Sequence, residues 1–210
     1  MKEDPIALIR KTKLLVGVCG GVAALGTPHA LLWARSALGL EKVQVLLTPM
    51  ASRMVNTKSF EVTMGLSPIV EWEDLAPGAA PHIRLAHWPD TILVLPATAN
   101  LLGKLAHGIA DSLLTTTLLA ASCPITLAPA MNPAMWRKPV VQRNVEQLRA
   151  DGYEIIPPGE GKSLTSGDTQ FGSIEDVRRP FIIALSRAIR ELTEEVDLNV
   201  MFARGDIIHE

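Results

Sequence analysis

Cysteine is scarce in this 210-residue chain, which carries only Cys19 and Cys123, far apart. Two such residues make neither a zinc pattern nor a disulfide framework, and this usage fits a reducing cytoplasm. Charge of one sign is lacking too, since 20 basic and 22 acidic residues leave a formal net charge of −2. That excludes the electrostatic footprint of a nucleic-acid or anionic-membrane binder, so specificity must come from a local site. No window approaches the ~20 apolar residues of a spanning helix. Met1-Lys2-Glu3-Asp4-Pro5 places acids and a proline before any apolar run. The expectation is therefore a protein neither secreted by a standard signal nor embedded. Aromatics make up 4%, yet 48% of the chain is hydrophobic. That is too apolar for disorder, and the chain has neither a fibrous period nor an internal repeat. A chain this long needs no metal or disulfide staple to hold a core. The reading is one domain over residues 1–210, with a core at 13–192 and a peripheral tail at 193–210.

What is present alternates. Leu14-Leu15-Val16-Gly17-Val18-Cys19 is a short apolar run ending in Gly20-Gly21, followed by an alanine- and leucine-rich stretch to about Gly39. This reads as a buried strand and then a helix, with an irregular first turn or kink imposed by Pro28. Further strands are expected at Val43 to Leu47, Thr91 to Leu95, Ile125 to Ala128 and Tyr153 to Ile156. Helices are expected at Leu101 to Ala106, Ser112 to Ala120, Val140 to Asp151 and about Ile174 to Leu192. Strands this apolar, separated by helices, predict a three-layer α/β fold with a doubly wound parallel sheet, flavodoxin-like (Rossmann-like). Leu75 to Pro89 reads as irregular, and Pro157 to Phe171 as a mobile surface loop.

In such a sheet ligands bind beyond the carboxyl ends of the strands. Gly20-Gly21-Val22-Ala23-Ala24 follows the first strand, where glycines admit a ligand close to the backbone and aim N–H groups at an anion; a plain tight turn is the alternative. Thr48 and Ser52 follow the second strand as helix caps or phosphate contacts. Pro96 stops the third strand, and Thr98 and Asn100 open a helix after it. There is no Walker loop and no complete dinucleotide fingerprint. Of five histidines, His82 stands out because it follows Pro81 in the irregular segment; histidine titrates near neutrality, which suits acid–base work. Neither cysteine reads as a nucleophile. Pro129-Ala130-Met131-Asn132-Pro133-Ala134-Met135-Trp136 lies at the same sheet edge. It reads as a proline-bounded turn in which Asn132 has donor and acceptor groups for a carboxylate or amide.

Together these segments resemble the homo-oligomeric flavin-containing cysteine decarboxylases, closest to the epidermin-type peptidyl-cysteine decarboxylases. Pro96-Ala97-Thr98-Ala99-Asn100 is similar to the family's Pro-Ala-Ser-Ala-Asn string, and Pro129 to Trp136 matches its Pro-x-Met-Asn-x-x-Met-Trp string. His82-Ile83-Arg84-Leu85-Ala86-His87-Trp88 resembles its His-Ile-x-Leu-x-x-Trp segment, which makes His82 the counterpart of the catalytic histidine. The Gly20 loop resembles Gly-Ser-Ile-Ala-Ala, with Gly21 in place of serine. The resemblance implies FMN held by Gly20, Gly21, Val22, Thr48, Met54, Thr98, Ala99, Asn100, Leu101 and Ala130, at a subunit interface of a trimer or dodecamer.

It also implies a reaction. The thiol of a C-terminal cysteine is oxidised to a thioaldehyde with FMN as acceptor and His82 as base, and carbon dioxide leaves to give an enethiolate. Asn132 holds the substrate carboxylate or amide and acts with His82, while Met135 walls the pocket. In phosphopantothenoylcysteine decarboxylases a Cys-Gly-Asp element returns the enethiol to a saturated thiol. Here the stretch is Leu164-Thr165-Ser166-Gly167-Asp168. A serine cannot do thiol redox chemistry. The expectation is therefore a reaction that ends at the enethiol of a precursor peptide, with Thr165 and Ser166 near the substrate and an external oxidant for the reduced cofactor. The alternatives are a phosphopantothenoylcysteine decarboxylase, a non-catalytic flavin-binding regulatory subunit, and a flavin prenyltransferase, against which the intact Asn132 string speaks.

Overall fold

The structure is a computed structural model that describes residues 5–70, 72–74, 80–162, 169–174 and 176–192. Five strands form one parallel sheet: β1 (Lys13–Val18), β2 (Lys42–Leu47), β3 (Thr91–Ala97), β4 (Ile125–Pro129) and β5 (Glu154–Ile155). Their spatial order is β2-β1-β3-β4-β5. The chain starts in the middle, steps outward to β2, and returns across β1 to β3. The carboxyl ends of β1 and β3 therefore part at a topological switch point, where flavodoxin-like α/β folds open a crevice.

The continuous apolar runs hide a period of two. Along β1, Leu14, Val16 and Val18 join one buried core, whereas Leu15 and Cys19 join the other. The first core is closed by α1 (Pro5–Lys11), α2 (Thr27–Leu38), α4 (Thr57–Met64) and α10 (Arg178–Leu192), through Ile9, Leu31, Phe60 and Phe181. The second is closed by α5 (Pro81–His87), α6 (Ala99–Ala106), α7 (Leu113–Ala120) and α9 (Pro139–Ala150), through Leu85, Leu102, Leu114 and Leu148. A strand buried on both faces must be apolar at every position. Gly17 is small for the same reason, since a Cβ there would lie 2.9 Å from Leu114.

Several expectations are corrected. Leu75 to Pro89 is not irregular throughout: Pro81–His87 is helix α5, and His82 sits in its first turn. Pro81 stands where a first helical turn has no use for its missing N–H, and Pro89 falls after the end, so the prolines bound the helix. Pro96 does not stop β3, which runs on to Ala97. Its carbonyl still accepts the Cys19 N–H at 3.1 Å, and a register shift against β4 absorbs the missing donor. Pro157 to Phe171 is not a plain loop, because β6 (Gly159–Lys162) pairs antiparallel with β7 (Thr169–Ser173). The last helix begins at Arg178 because the Asp176 carboxylate accepts the Arg178 N–H at 2.9 Å, with Pro180 in the first turn. The irregular turn before α2 is present as a 3-10 segment, Val22–Gly26, with Pro28 inside the first turn of α2. Two further helices, α3 (Pro49–Met54) and α8 (Pro133–Trp136), follow β2 and β4. Among the described residues no helix is long and apolar enough to cross a membrane.

Candidate functional site

The loops after β1, β2, β3 and β4 meet along one edge of the sheet. Gly20 is forced by packing: a Cβ there would run into the Met50 side chain and come within 2.9 Å of the Met50 backbone carbon. Gly21 has room, because a Cβ there would meet Thr98 Cγ2 at 3.8 Å. This near contact shows that the β1 and β3 loops lie side by side across the switch point. Beneath them Cys19 is buried, and burial pushes its thiol up to about 11 despite hydrogen bonds from Thr98. A neutral thiol in that place is part of the core, not a nucleophile.

Thr48 and Thr98 act as helix caps. Thr48 Oγ1 accepts the Ala51 N–H at 3.2 Å, and Thr98 Oγ1 accepts the Leu101 N–H at 3.4 Å. The Leu101 N–H is thereby committed, and the Leu101 side chain is buried in the second core. In the first turn of α6 the amides of Ala99 and Asn100 precede the first intrahelical bond, Leu102 N–H to Thr98 O at 3.0 Å. Val22 and Met54 are 40% and 38% exposed at the rim. The crevice thus combines backbone donors, two glycines, apolar rims and no acidic side chain within 20–24, 48–54 or 98–101. A planar aromatic group carrying an anionic tail fits that set of contacts.

The β4 loop forms the opposite flank. Ala130 donates its N–H to Ala97 O at 3.0 Å, tying this loop to the end of β3. Asn132 is exposed, and its Oδ1 caps α8 by accepting the Ala134 N–H at 2.8 Å. The cap fixes the side chain and leaves the amide Nδ2 as a donor for a carboxylate. Met135 is 47% exposed beside it, whereas Trp136 is buried in the second core. The hairpin is seated on this loop: Met131 donates its N–H to Gly172 O at 3.1 Å. Gly172 has φ +113°, and a Cβ on it would strike the Met131 carbonyl oxygen. Thr165 and Ser166 lie between the hairpin strands, outside the described residues.

His82 stands apart. Its Nδ1 is buried without a hydrogen-bond partner among the described residues, and its ring meets that of Trp72 edge-on at a centroid distance of 5.5 Å. Among the described residues no hydrogen bond or ring contact joins it to Asn132 or to the β1 and β3 loops within one chain. Sequence reasoning missed Trp72 and Met50, since nothing in their local pattern marks them as neighbours of His82 and Gly20.

The family model described as Flavoprotein matches residues 6–186. The chain is 40% identical over 184 residues to the phosphopantothenoylcysteine decarboxylase of Mus musculus, covering 86% of this chain and 88% of that protein. It is 38% identical over 170 residues to the coenzyme A biosynthesis bifunctional protein CoaBC of Bacillus subtilis, covering 80% of this chain but 41% of that protein. The chain thus spans about two-fifths of that bifunctional relative. Among solved structures, the FMN-dependent cysteine decarboxylase SpaF superimposes with a TM-score of 0.77 at 43% identity, covering 87% of this chain and 99% of that one. With the crevice, the Asn132 loop and His82 on the same scaffold, the chain belongs to the Flavoprotein family, alongside these cysteine decarboxylases.

Proposed function

We propose that this protein binds FMN in the β1–β3 crevice and catalyses oxidative decarboxylation of the C-terminal cysteine of a ribosomally made precursor peptide, ending at an enethiol. The observation that carries the reading is Ser166, which stands in Leu164-Thr165-Ser166-Gly167-Asp168 where reduction back to a thiol needs a cysteine. Bound FMN supplies the oxidising power for the thiol carbon. The chain does the rest. Gly20, Gly21 and Val22 bring backbone close to the cofactor, Thr48, Thr98, Ala99, Asn100, Leu101 and Ala130 shape its cradle, and Met54 covers an apolar part. Asn132 holds the substrate carboxylate through Nδ2, which orients the cysteine for loss of carbon dioxide. His82 takes the proton from the reacting carbon. Met135 excludes water, and Thr165 and Ser166 act as substrate contacts. The active form is a homo-oligomer, trimer or dodecamer, in which His82 meets a neighbouring copy's crevice.

A second reading is favoured by the 40% identity to the murine enzyme. In it the substrate is phosphopantothenoylcysteine. The two are separated by offering the FMN-loaded protein a synthetic peptide ending in cysteine and, in parallel, phosphopantothenoylcysteine. A higher kcat/KM on the peptide supports the proposal; turnover of phosphopantothenoylcysteine alone replaces it with the second reading.

A further inference from the structure

We propose that Trp72 is the positioning residue for His82, and that Ile69, Val70 and the turn Trp72–Asp74 hold it in place. The inference rests on the assignment of His82 as base in the proposed function. Histidines that move protons are ordinarily held by a hydrogen bond to the ring nitrogen away from the chemistry, which sets both tautomer and orientation. Among the described residues of one chain His82 Nδ1 has no such bond; the atom is buried without a partner. What abuts the ring is the indole of Trp72, at 5.5 Å between centroids and 73° between planes. Such an edge-to-face contact restricts the swing of an imidazole without consuming either nitrogen.

The indole is itself anchored. Ile69 is bridged to the edge strand β2, donating to Val45 O and accepting from Leu47 N–H, both at 2.8 Å. Two residues before Trp72, the Val70 N–H is held by the Asp74 carboxylate at 2.7 Å, which closes the short 3-10 turn Trp72–Asp74. The frame therefore runs from the sheet, through a carboxylate-locked turn, to the ring edge against His82. Trp72 is 37% exposed, so a substitution there spares the buried cores.

The test compares Trp72→Phe, Trp72→Ala, His82→Ala and Trp72→Ala/His82→Ala in the FMN-loaded protein, using a synthetic peptide ending in cysteine, or phosphopantothenoylcysteine if only that is turned over. Trp72→Ala is expected to lower kcat by about 10- to 100-fold with KM little changed, the scale of a misplaced catalytic group. Trp72→Phe keeps a ring edge and should retain most of kcat. In the double variant the Trp72 change should cost nothing beyond His82→Ala, because two groups acting as a unit are not additive. Independently of turnover, carbethoxylation of His82 by diethylpyrocarbonate, followed by mass spectrometry, should be faster in Trp72→Ala and unchanged in Trp72→Phe. Equal Trp72→Ala losses with and without His82, or an unchanged modification rate, would overturn the inference. Full turnover by His82→Ala would instead remove the functional reading on which it stands.

Discussion

The two flanks of the sheet edge are built differently. Around the β1–β3 switch point, side chains are already committed: Thr48 and Thr98 cap helices, Cys19 is sealed below, and Gly20 is wedged against Met50. On the other flank, formed by the β4 loop, Asn132 and Met135 face outward. Asn132 uses one amide atom for a cap and presents the other, and Met135 is half-exposed; His82, apart from both flanks, has a buried Nδ1 with no partner among the described residues. Under the proposed function the difference separates a preformed cradle from residues completed by substrate, in keeping with a cofactor that carries the hard chemistry.

If that division is right, changes on the catalytic flank should spare cofactor binding, and changes in the cradle should not. His82→Ala carries the largest expected effect, a loss of ~10²–10⁴-fold in turnover, with the flavin absorbance of the purified protein unchanged. Gly20→Ala should do the reverse. Its new Cβ meets Met50 backbone and side chain, so about 1–3 kcal/mol of stability and most of the bound FMN should be lost, read by thermal melting and flavin content. Gly21→Ala, with only Thr98 at 3.8 Å in contact, should melt within about 0.5 kcal/mol of the parent. Comparable damage from both substitutions would break the account of the cradle.

Asn132→Asp is a finer probe. Aspartate still accepts the Ala134 N–H, so stability should hold, because Asn and Asp cap about equally well. The donor is lost and a negative charge appears opposite the substrate carboxylate, so KM should rise more than stability falls. Asn132→Ala should in addition lose the cap, about 1 kcal/mol. The smallest effect concerns Cys19. Burial raises its folded thiol to about 11 from the ordinary thiol value of 9.0. The unfolded state therefore ionises first, and between those two values stability should decline with pH, by at most about 1.4 kcal/mol per unit. Alkylation at neutral pH should label half-buried Cys123 before Cys19, checked by peptide mapping.

Much of the fold was legible because both-face burial leaves so plain a mark: Leu14 to Cys19 and Thr91 to Leu95 cannot be anything but core. Gly20, Thr98 and Asn132 were legible by position after strands. The hairpin was not, since β6 and β7 are held by backbone pairing and by the Gly172–Met131 contact, and carry little apolar alternation. The helical setting of His82 was masked by Pro81 and Pro89, which bound α5 instead of breaking it. The Trp72–His82 contact depends on a turn tied to β2, a long-range arrangement with no local signature.

The most direct test of the central claim is the mass of the product formed when the FMN-loaded protein meets a synthetic peptide ending in cysteine. Loss of carbon dioxide together with two hydrogens is expected, giving an enethiol that accumulates. Loss of carbon dioxide alone, giving a saturated thiol, would contradict it.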